Sequence, residues 1–323
     1  MQDLRNAVTV VTGASSGIGR AAAEAFARRG GCVVLAARGE LPLMQATLAC
    51  EAIGGRGRAL AVPTDMADPA AVQELVRRAI DAFGRIDVWV NNAGIGAVGR
   101  FWRTPIEAHR RVVEVNLLGY IHGAHAVLPH FLERRRGVLI NNISIGGRIP
   151  APFAASYSAS KYGLRGFCDS LRQELAGWPD IHVCALYPYF MDTPGVRHGA
   201  NYTGRRLKPV TPLNDPRWMA EVIVGLARRP QREVTPGLMA KLAGLGYAAM
   251  PRPVEWTTAR AIEVGLRRAT PAPVTDGNLF APSPPPMAVS GGWRWSPPAR
   301  YGLLTGLGLA AAGMILLGAR KAH

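Results

Sequence analysis

The chain has 323 residues and a formal net charge of +16, with 48% hydrophobic residues. That is enough apolar material for one large core. Lys occurs only at 161, 208, 241 and 321, so Arg supplies nearly all the positive charge, and no interleaved aromatic platform accompanies it. This composition argues against a nucleic-acid-binding surface. The four cysteines (Cys32, Cys50, Cys168, Cys184) are far apart and the His residues scattered, which excludes a disulfide framework and gives no metal-ligand spacing.

From the N-terminus, Asp3 and Arg5 run straight into a strand-like Val8–Val11, so no secretory leader is expected and the folded part is placed in the cytoplasm. Short Val/Ile/Leu runs then alternate with longer amphipathic stretches. Strands are expected at 7–12, 32–37, 58–63, 86–90, 137–143 and 181–187, with helices between them and a last short strand at 232–235. This rhythm predicts an α/β fold, a doubly wound parallel sheet of the Rossmann type, in a single domain over 1–269. Five prolines between 188 and 216 make 189–217 a long loop with short helical pieces, suited to a lid over a site. Helices are expected at 218–229, 238–250 and 254–268. The second of these is almost wholly apolar, with Lys241 its one charge.

Beyond 269 the composition changes. Eight prolines fall in 270–299, which reads as a semi-rigid linker rather than a packed element. Tyr301–Ala319 then runs without a charge between Arg300 and Arg320-Lys321. A helix of that length spans about 28 Å, the thickness of a bilayer's hydrocarbon layer. A hydrophobic, membrane-anchoring helix is therefore expected at 300–321, with Gly302 and Gly306 giving a small face for helix association.

The chemistry begins at the first strand's end. Gly13, Ser15, Ser16, Gly17, Ile18 and Gly19 lie between that strand and the first helix. Glycines there let the backbone approach a pyrophosphate, and the helix N-terminus offers unpaired N–H groups. At the end of the second strand stands Arg38, with no acid at 33–38 to accept from a ribose 2′-hydroxyl. Arg38 suits a 2′-phosphate, with Ser15 as a second donor, and so favours NADP(H) over NAD(H). Tyr157 and Lys161, four residues apart, share one helix face. An ammonium beside a phenol favours the phenolate and would bring Tyr157 toward useful acid/base range. Ser144 can hydrogen-bond a substrate oxygen.

The Gly-x3-Gly-x-Gly spacing, Asn91-Asn92-Ala93-Gly94 after the fourth strand, Asn116, Ser144 and Tyr157-x3-Lys161 together resemble the short-chain dehydrogenase/reductase family over about residues 5–195. The resemblance implies hydride transfer between a nicotinamide cofactor and a carbonyl or alcohol, with Tyr157 as acid/base and Ser144 steadying the oxyanion. It also implies that Lys161 holds the nicotinamide ribose and that Asn116 keeps a water relaying protons to Lys161. Asp65 corresponds to the residue beside the adenine, Asn92, Ala93 and Gly94 to the segment that passes the adenosine, and Pro188 and Thr193 to the cofactor contacts after the sixth strand. Asp65 reads equally well as a loop cap. Where the family has Gly after that proline, this chain has Tyr189. Homo-oligomers through helices near 105–132 and 156–176 are likewise implied. Aromatic residues around the loop and the membrane tail suggest a hydrophobic, lipid-like substrate. Two other readings of the same residues stay open: a non-catalytic NADP-binding membrane protein, and epimerase or dehydratase chemistry with retained cofactor.

Overall fold

A computed structural model describes residues 3–284 and 287–294. In chain order its elements are β1 (Val8–Thr12), α1 (Gly17–Arg28), β2 (Cys32–Ala37), α2 (Glu40–Gly54), β3 (Ala59–Pro63), α3 (Pro69–Phe83), β4 (Val88–Asn91) and β5 (Ala97–Val98). They continue with α4 (Ile106–Val113), α5 (Gly119–Glu133), β6 (Gly137–Asn142), α6 (Ala155–Glu174), β7 (Ile181–Leu186), α7 (Gly195–His198) and β8 (Ala200–Asn201). Last come α8 (Pro216–Arg228), β9 (Glu233–Val234), α9 (Leu238–Ala249) and α10 (Pro251–Arg268).

Seven strands form one sheet in the order β3-β2-β1-β4-β6-β7-β9, and every pairing is parallel. The apolar runs explain this. β1 and β6 are buried along their whole length, as strands covered on both faces must be. One face packs against Ala21, Ala22, Ala25 and Phe26 of α1 and against Met219, Ile223 and Val224 of α8. The other holds Trp89, Tyr120, Phe131 and Leu164. Local signals agree with the tertiary ones. Asp68 caps α3 by accepting from the N–H groups of Ala70 and Ala71, with Pro69 in the first turn, and Gly84 closes the helix in the left-handed conformation at φ 75°.

Strand order reverses between β1 and β4, so their carboxyl ends diverge and leave a crevice above the sheet. Buried side chains brace its floor. Trp89 Nε1 donates to Asn91 Oδ1 at 2.8 Å, while Asn91 Nδ2 donates to Asn141 Oδ1 at 3.0 Å and to the Tyr120 carbonyl at 3.1 Å.

Two sequence expectations need adjustment, and a third falls outside the described residues. The loop at 189–217 contains α7 and β8, the latter pairing with β5 in a second small sheet. The stretch taken as a bare linker is bonded to the domain wherever it is described. Thr275 exchanges backbone hydrogen bonds with Asn201, Leu279 is fully buried and Val289 nearly so. Its prolines suppress regular structure, but the isolated Leu and Val still find recesses. No helix among the described residues is long and apolar enough to cross a membrane, and the anchoring helix expected at 300–321 lies outside them.

Candidate active site

The glycine turn sits at the crevice. Gly13 (φ 66°) and Gly17 (φ 54°) adopt left-handed conformations that favour glycine. A β-carbon on Gly19 would lie 2.3 Å from the Gly13 carbonyl oxygen, and one on Gly13 would lie 2.8 Å from the Ala93 Cα. Turn, helix start and the Asn92-Ala93 backbone are thus held closer than side chains permit. Asn92 fastens the junction: its Nδ2 donates to the Thr12 carbonyl at 2.9 Å, and its Oδ1 accepts from Asn142 Nδ2 at 2.8 Å. Ser16 occupies the N-cap of α1 but makes no capping bond with its side chain; Ile18 follows in the first turn. Thr193, after β7 and Pro188, faces the same turn, since a β-carbon on Gly17 would meet its Cγ2 at 3.2 Å.

At the far side of the crevice, Asp65 follows β3 and Arg38 follows β2. Asp65 Oδ1 accepts from the Ala67 N–H at 3.0 Å and its other oxygen pairs with Arg111. Burial alone would raise the Asp65 pKa, but the Ala67 amide and the Arg111 guanidinium outweigh it and hold the carboxyl below its ordinary range. Asp65 is therefore a turn cap and an ion-pair partner at the crevice rim. Burial lowers the Arg38 pKa.

The expected catalytic side chains come together above β6. Ser144 has φ 108°, a backbone conformation that costs a non-glycine residue about 1–3 kcal/mol and clusters at functional sites. Its Oγ accepts from the Gly146 N–H at 3.1 Å. Gly146, which the sequence reading did not single out, gives Tyr157 its room: a β-carbon there would lie 3.0 Å from the tyrosine ring and 3.5 Å from Ser144 Oγ. The turn after β6 is fixed by the Ile145 N–H, which donates to the Pro188 carbonyl at 2.8 Å. One turn along α6, the Lys161 Nζ lies 4.8 Å from the Tyr120 ring centre and 5.7 Å from that of Tyr157. Lys161 is 3% exposed, and burial lowers its pKa to about 7. Burial raises that of Tyr157, with a hydrogen bond from Ser144 opposing it. The expected pull of a charged lysine on the phenol is thus absent in this state, because desolvation governs both groups.

Asn116 is fully buried within a π-helical stretch, Glu114–Leu118, between α4 and α5. Such bulges recur at functional sites. Its Nδ2 donates to the Ile95 carbonyl and its Oδ1 accepts from the Ile95 N–H, both at 2.9 Å. A β-carbon on Gly94 would stand 3.4 Å from Asn116 Oδ1 and 3.9 Å from Lys161 Nζ, so glycine keeps the approach to the lysine open. Tyr189 turns away from the turn and packs with Ile145 and Ala240 of α9, its ring edge-on to Phe190 at 4.6 Å.

The chain matches the short chain dehydrogenase family over residues 7–201. It belongs to that family. A rat protein, dehydrogenase/reductase SDR family member 7B, is 37% identical over 194 residues, 59% of each chain. The 3beta-hydroxysteroid dehydrogenase 1 of Eggerthella lenta is 39% identical over 59% of this chain and 73% of its own. Among solved structures, an alcohol dehydrogenase from Thermococcus sibiricus complexed with 5-hydroxy-NADP superposes with a TM-score of 0.62 at 27% identity, covering 71% of this chain and 95% of that one. The match to the rat protein spans somewhat under two thirds of that relative's length. A dinucleotide suits the crevice. The Gly17 N–H and the Arg20 and Arg38 guanidiniums all point into it, and each is bonded to a carbonyl oxygen of the C-terminal stretch, the kind of acceptor that phosphate oxygens also provide.

Proposed function

We propose that this protein is an NADP(H)-dependent oxidoreductase that interconverts a carbonyl and an alcohol on an apolar, lipid-like substrate. The observation that carries the reading is the meeting of Ser144, Tyr157 and Lys161 beside the glycine turn. A bound nicotinamide would supply or accept the hydride at the substrate carbon. Gly13, Ser16, Gly17, Ile18 and Gly19 would hold its pyrophosphate, and Arg38, with Ser15 as a second donor, its 2′-phosphate. The Arg38 guanidinium lies where the acid of an NAD site would stand, and the similar alcohol dehydrogenase carries an NADP derivative. Thr193 would contact the nicotinamide half, while Asn92, Ala93 and Gly94 leave room for the adenosine half.

In the reducing direction the Ser144 hydroxyl donates to the substrate oxygen and steadies the charge that gathers there. The Tyr157 phenol gives its proton to the same oxygen. Lys161, buried and with a pKa of about 7, exchanges a proton near neutrality and returns it to Tyr157. Asn116 holds the Ile95 backbone open beside it. The apolar character of the substrate follows from Tyr189, Phe190 and Ile145 facing α9, whose Leu238, Leu242 and Leu245 remain exposed. The similar hydroxysteroid dehydrogenase points the same way. Tyr301–Ala319 would anchor the chain to a membrane, with the catalytic domain on the cytoplasmic side.

The test is oxidation of NADPH and NADH by the full chain in detergent, against carbonyls graded by chain length. The expected result is NADPH consumption that increases with apolar length and disappears in Tyr157→Phe. Turnover without net NADPH consumption would instead indicate an epimerase or dehydratase.

A further inference from the structure

Two described pieces of the C-terminal stretch, 276–284 and 287–294, lie along the crevice, the first at its Arg38 end and the second at its Thr193 end. At the adenosine end Leu279 is fully buried among Ile95, Val112 and Val115. The carbonyls of Asn278 and Leu279 accept from Arg38, the latter at 2.9 Å. Further on, Pro282 lies against Gly39, where a β-carbon would meet its ring at 3.3 Å. The strap then crosses the glycine turn. The Gly17 N–H donates to the Ala288 carbonyl at 3.0 Å, and Arg20 Nη1 donates to the Met287 carbonyl at 2.9 Å. It is made fast beyond Thr193. Asp192, 1% exposed, accepts from the Ser290 hydroxyl at 2.7 Å and the Trp293 N–H at 2.9 Å, and Arg294 pairs with Asp215 at 2.6 Å.

We propose that this strap is an internal competitor of the cofactor. Its backbone carbonyls take the donors meant for phosphate oxygens, and Leu279, whose carbonyl also accepts at 3.1 Å from Arg111, the partner of Asp65, stands at the Arg38 end that the adenosine half would enter. The inference rests on the cofactor assignment of the preceding section. Competition, rather than completion of the site, follows from the chemistry of the donors. The Gly17 N–H has a single hydrogen, already given to the Ala288 carbonyl, so strap and dinucleotide cannot share it, and two of the five Arg38 N–H groups are likewise given to strap carbonyls. The strap brings only carbonyl oxygens and apolar side chains to these positions, and a carbonyl oxygen repels a phosphate oxygen. The closed strap gives these donors protein acceptors in place of water and buries Leu279 and Val289, so the closed state is a stable one. NADPH must displace it, and the apparent affinity is lowered by the fraction of chains in which the strap is closed.

The experiment compares NADPH binding, read by quenching of tryptophan fluorescence or by calorimetry, in the full chain and in two full-length variants loosened at opposite ends. These are Leu279→Asp and the double variant Ser290→Ala/Arg294→Ala; neither changes a catalytic or cofactor-binding residue. The second variant, whose substitutions lie at partly exposed positions, keeps the test decisive where Leu279→Asp fails to fold. Hydrogen exchange over residues 276–294 is followed with and without saturating NADPH. The expected result is an NADPH Kd about tenfold lower in the loosened variants. In the native chain NADPH should also strip protection from the amides of Asn278, Gly291 and Trp293. An unchanged or weaker affinity in the variants, with NADPH increasing protection of the strap, overturns the proposal and makes the strap part of the cofactor site. Binding with the expected pattern but no turnover of any carbonyl leaves the strap standing and removes the proposed reaction. Failure of every chain to bind NADPH or NADH removes both.

Discussion

Tyr157 lays its ring against the bare backbone of Gly146, with only 3.0 Å between the ring and the place where a β-carbon would stand. Both the phenol and the Ser144 hydroxyl owe their positions to that missing carbon, because Gly146 also donates its N–H to Ser144 Oγ. Gly146→Ala should tilt the ring and lengthen the Ser144 contact. Displacements of this size at reacting groups cost about ten- to a hundredfold in rate. The expected outcome is a fall in kcat of that order with the Kd for NADPH unchanged, measured by steady-state kinetics beside direct binding. An equal rise in Kd would mean that Gly146 shapes the cofactor crevice instead.

Lys161 makes a prediction about pH. Burial lowers its pKa from the ordinary lysine value of 10.5 to about 7. Between those values the unfolded chain binds more protons at this position than the folded chain. Stability of the cofactor-free protein should therefore rise with pH from about 7 toward 10, by at most about 1.4 kcal/mol per pH unit from this one group. Denaturant midpoints measured across that range should show the slope in the native protein and lose it in Lys161→Met. An identical slope in both would place the titration elsewhere.

Arg38 holds two carbonyls of the strap and is the proposed partner of a 2′-phosphate. Arg38→Ala should weaken NADPH binding by about tenfold or more, the worth of a charge-assisted hydrogen bond. NADH, which has no 2′-phosphate, should bind no worse, and better where the strap has been loosened. Equal losses for both cofactors would remove Arg38 from the specificity assignment.

Asp87 makes a prediction about stability. It is 3% exposed and accepts from the Val8 N–H at 2.9 Å, from Arg85 at 2.9 Å and from Arg134 at 3.1 Å, tying the start of β1 to β4 and α5. Burial alone would raise its pKa, but these partners outweigh it and hold it below the ordinary carboxylate value. Its contribution is thus present above an unfolded pKa of about 4 and lost as pH falls through the lower folded value. Asp87→Ala leaves Arg134 and the Val8 amide without their acceptor and should destabilise the protein by about 3–5 kcal/mol in chemical denaturation. A loss under about 1 kcal/mol would show that solvent replaces the carboxylate.

The parallel sheet was legible because strands covered on both faces are dominated by apolar residues, as β1, β2, β6 and β7 are. The glycine turn was legible from its place between a strand and a helix and the Tyr157–Lys161 pair from its helical spacing, while Asn116 and the joining of Ser144 to that pair came through the family resemblance. What escaped depends on contacts distant in sequence or on backbone detail. The left-handed backbone of Ser144 leaves no mark in residue type, and Gly146 reads as one glycine among many. The strap reads as a linker because its prolines are visible locally, while its partners at Arg38 and Gly17 lie more than two hundred residues earlier. The electrostatics of Tyr157 and Lys161 were expected to follow charge, whereas burial, invisible in the spacing, dominates them.

The place of the strap at the end of the chain also gives the protein a history. The glycine turn, Arg38, the catalytic set and Thr193 have all been synthesised more than eighty residues before Asp276. At ribosomal rates that delay is on the order of ten seconds. A nascent chain therefore presents a complete crevice to the surrounding nucleotide pool before its competitor exists. Under the proposed competition, chains made where the dinucleotide is abundant should begin life loaded, and chains refolded without it should begin life closed. The same sequence then has two starting states, separated by how it was made.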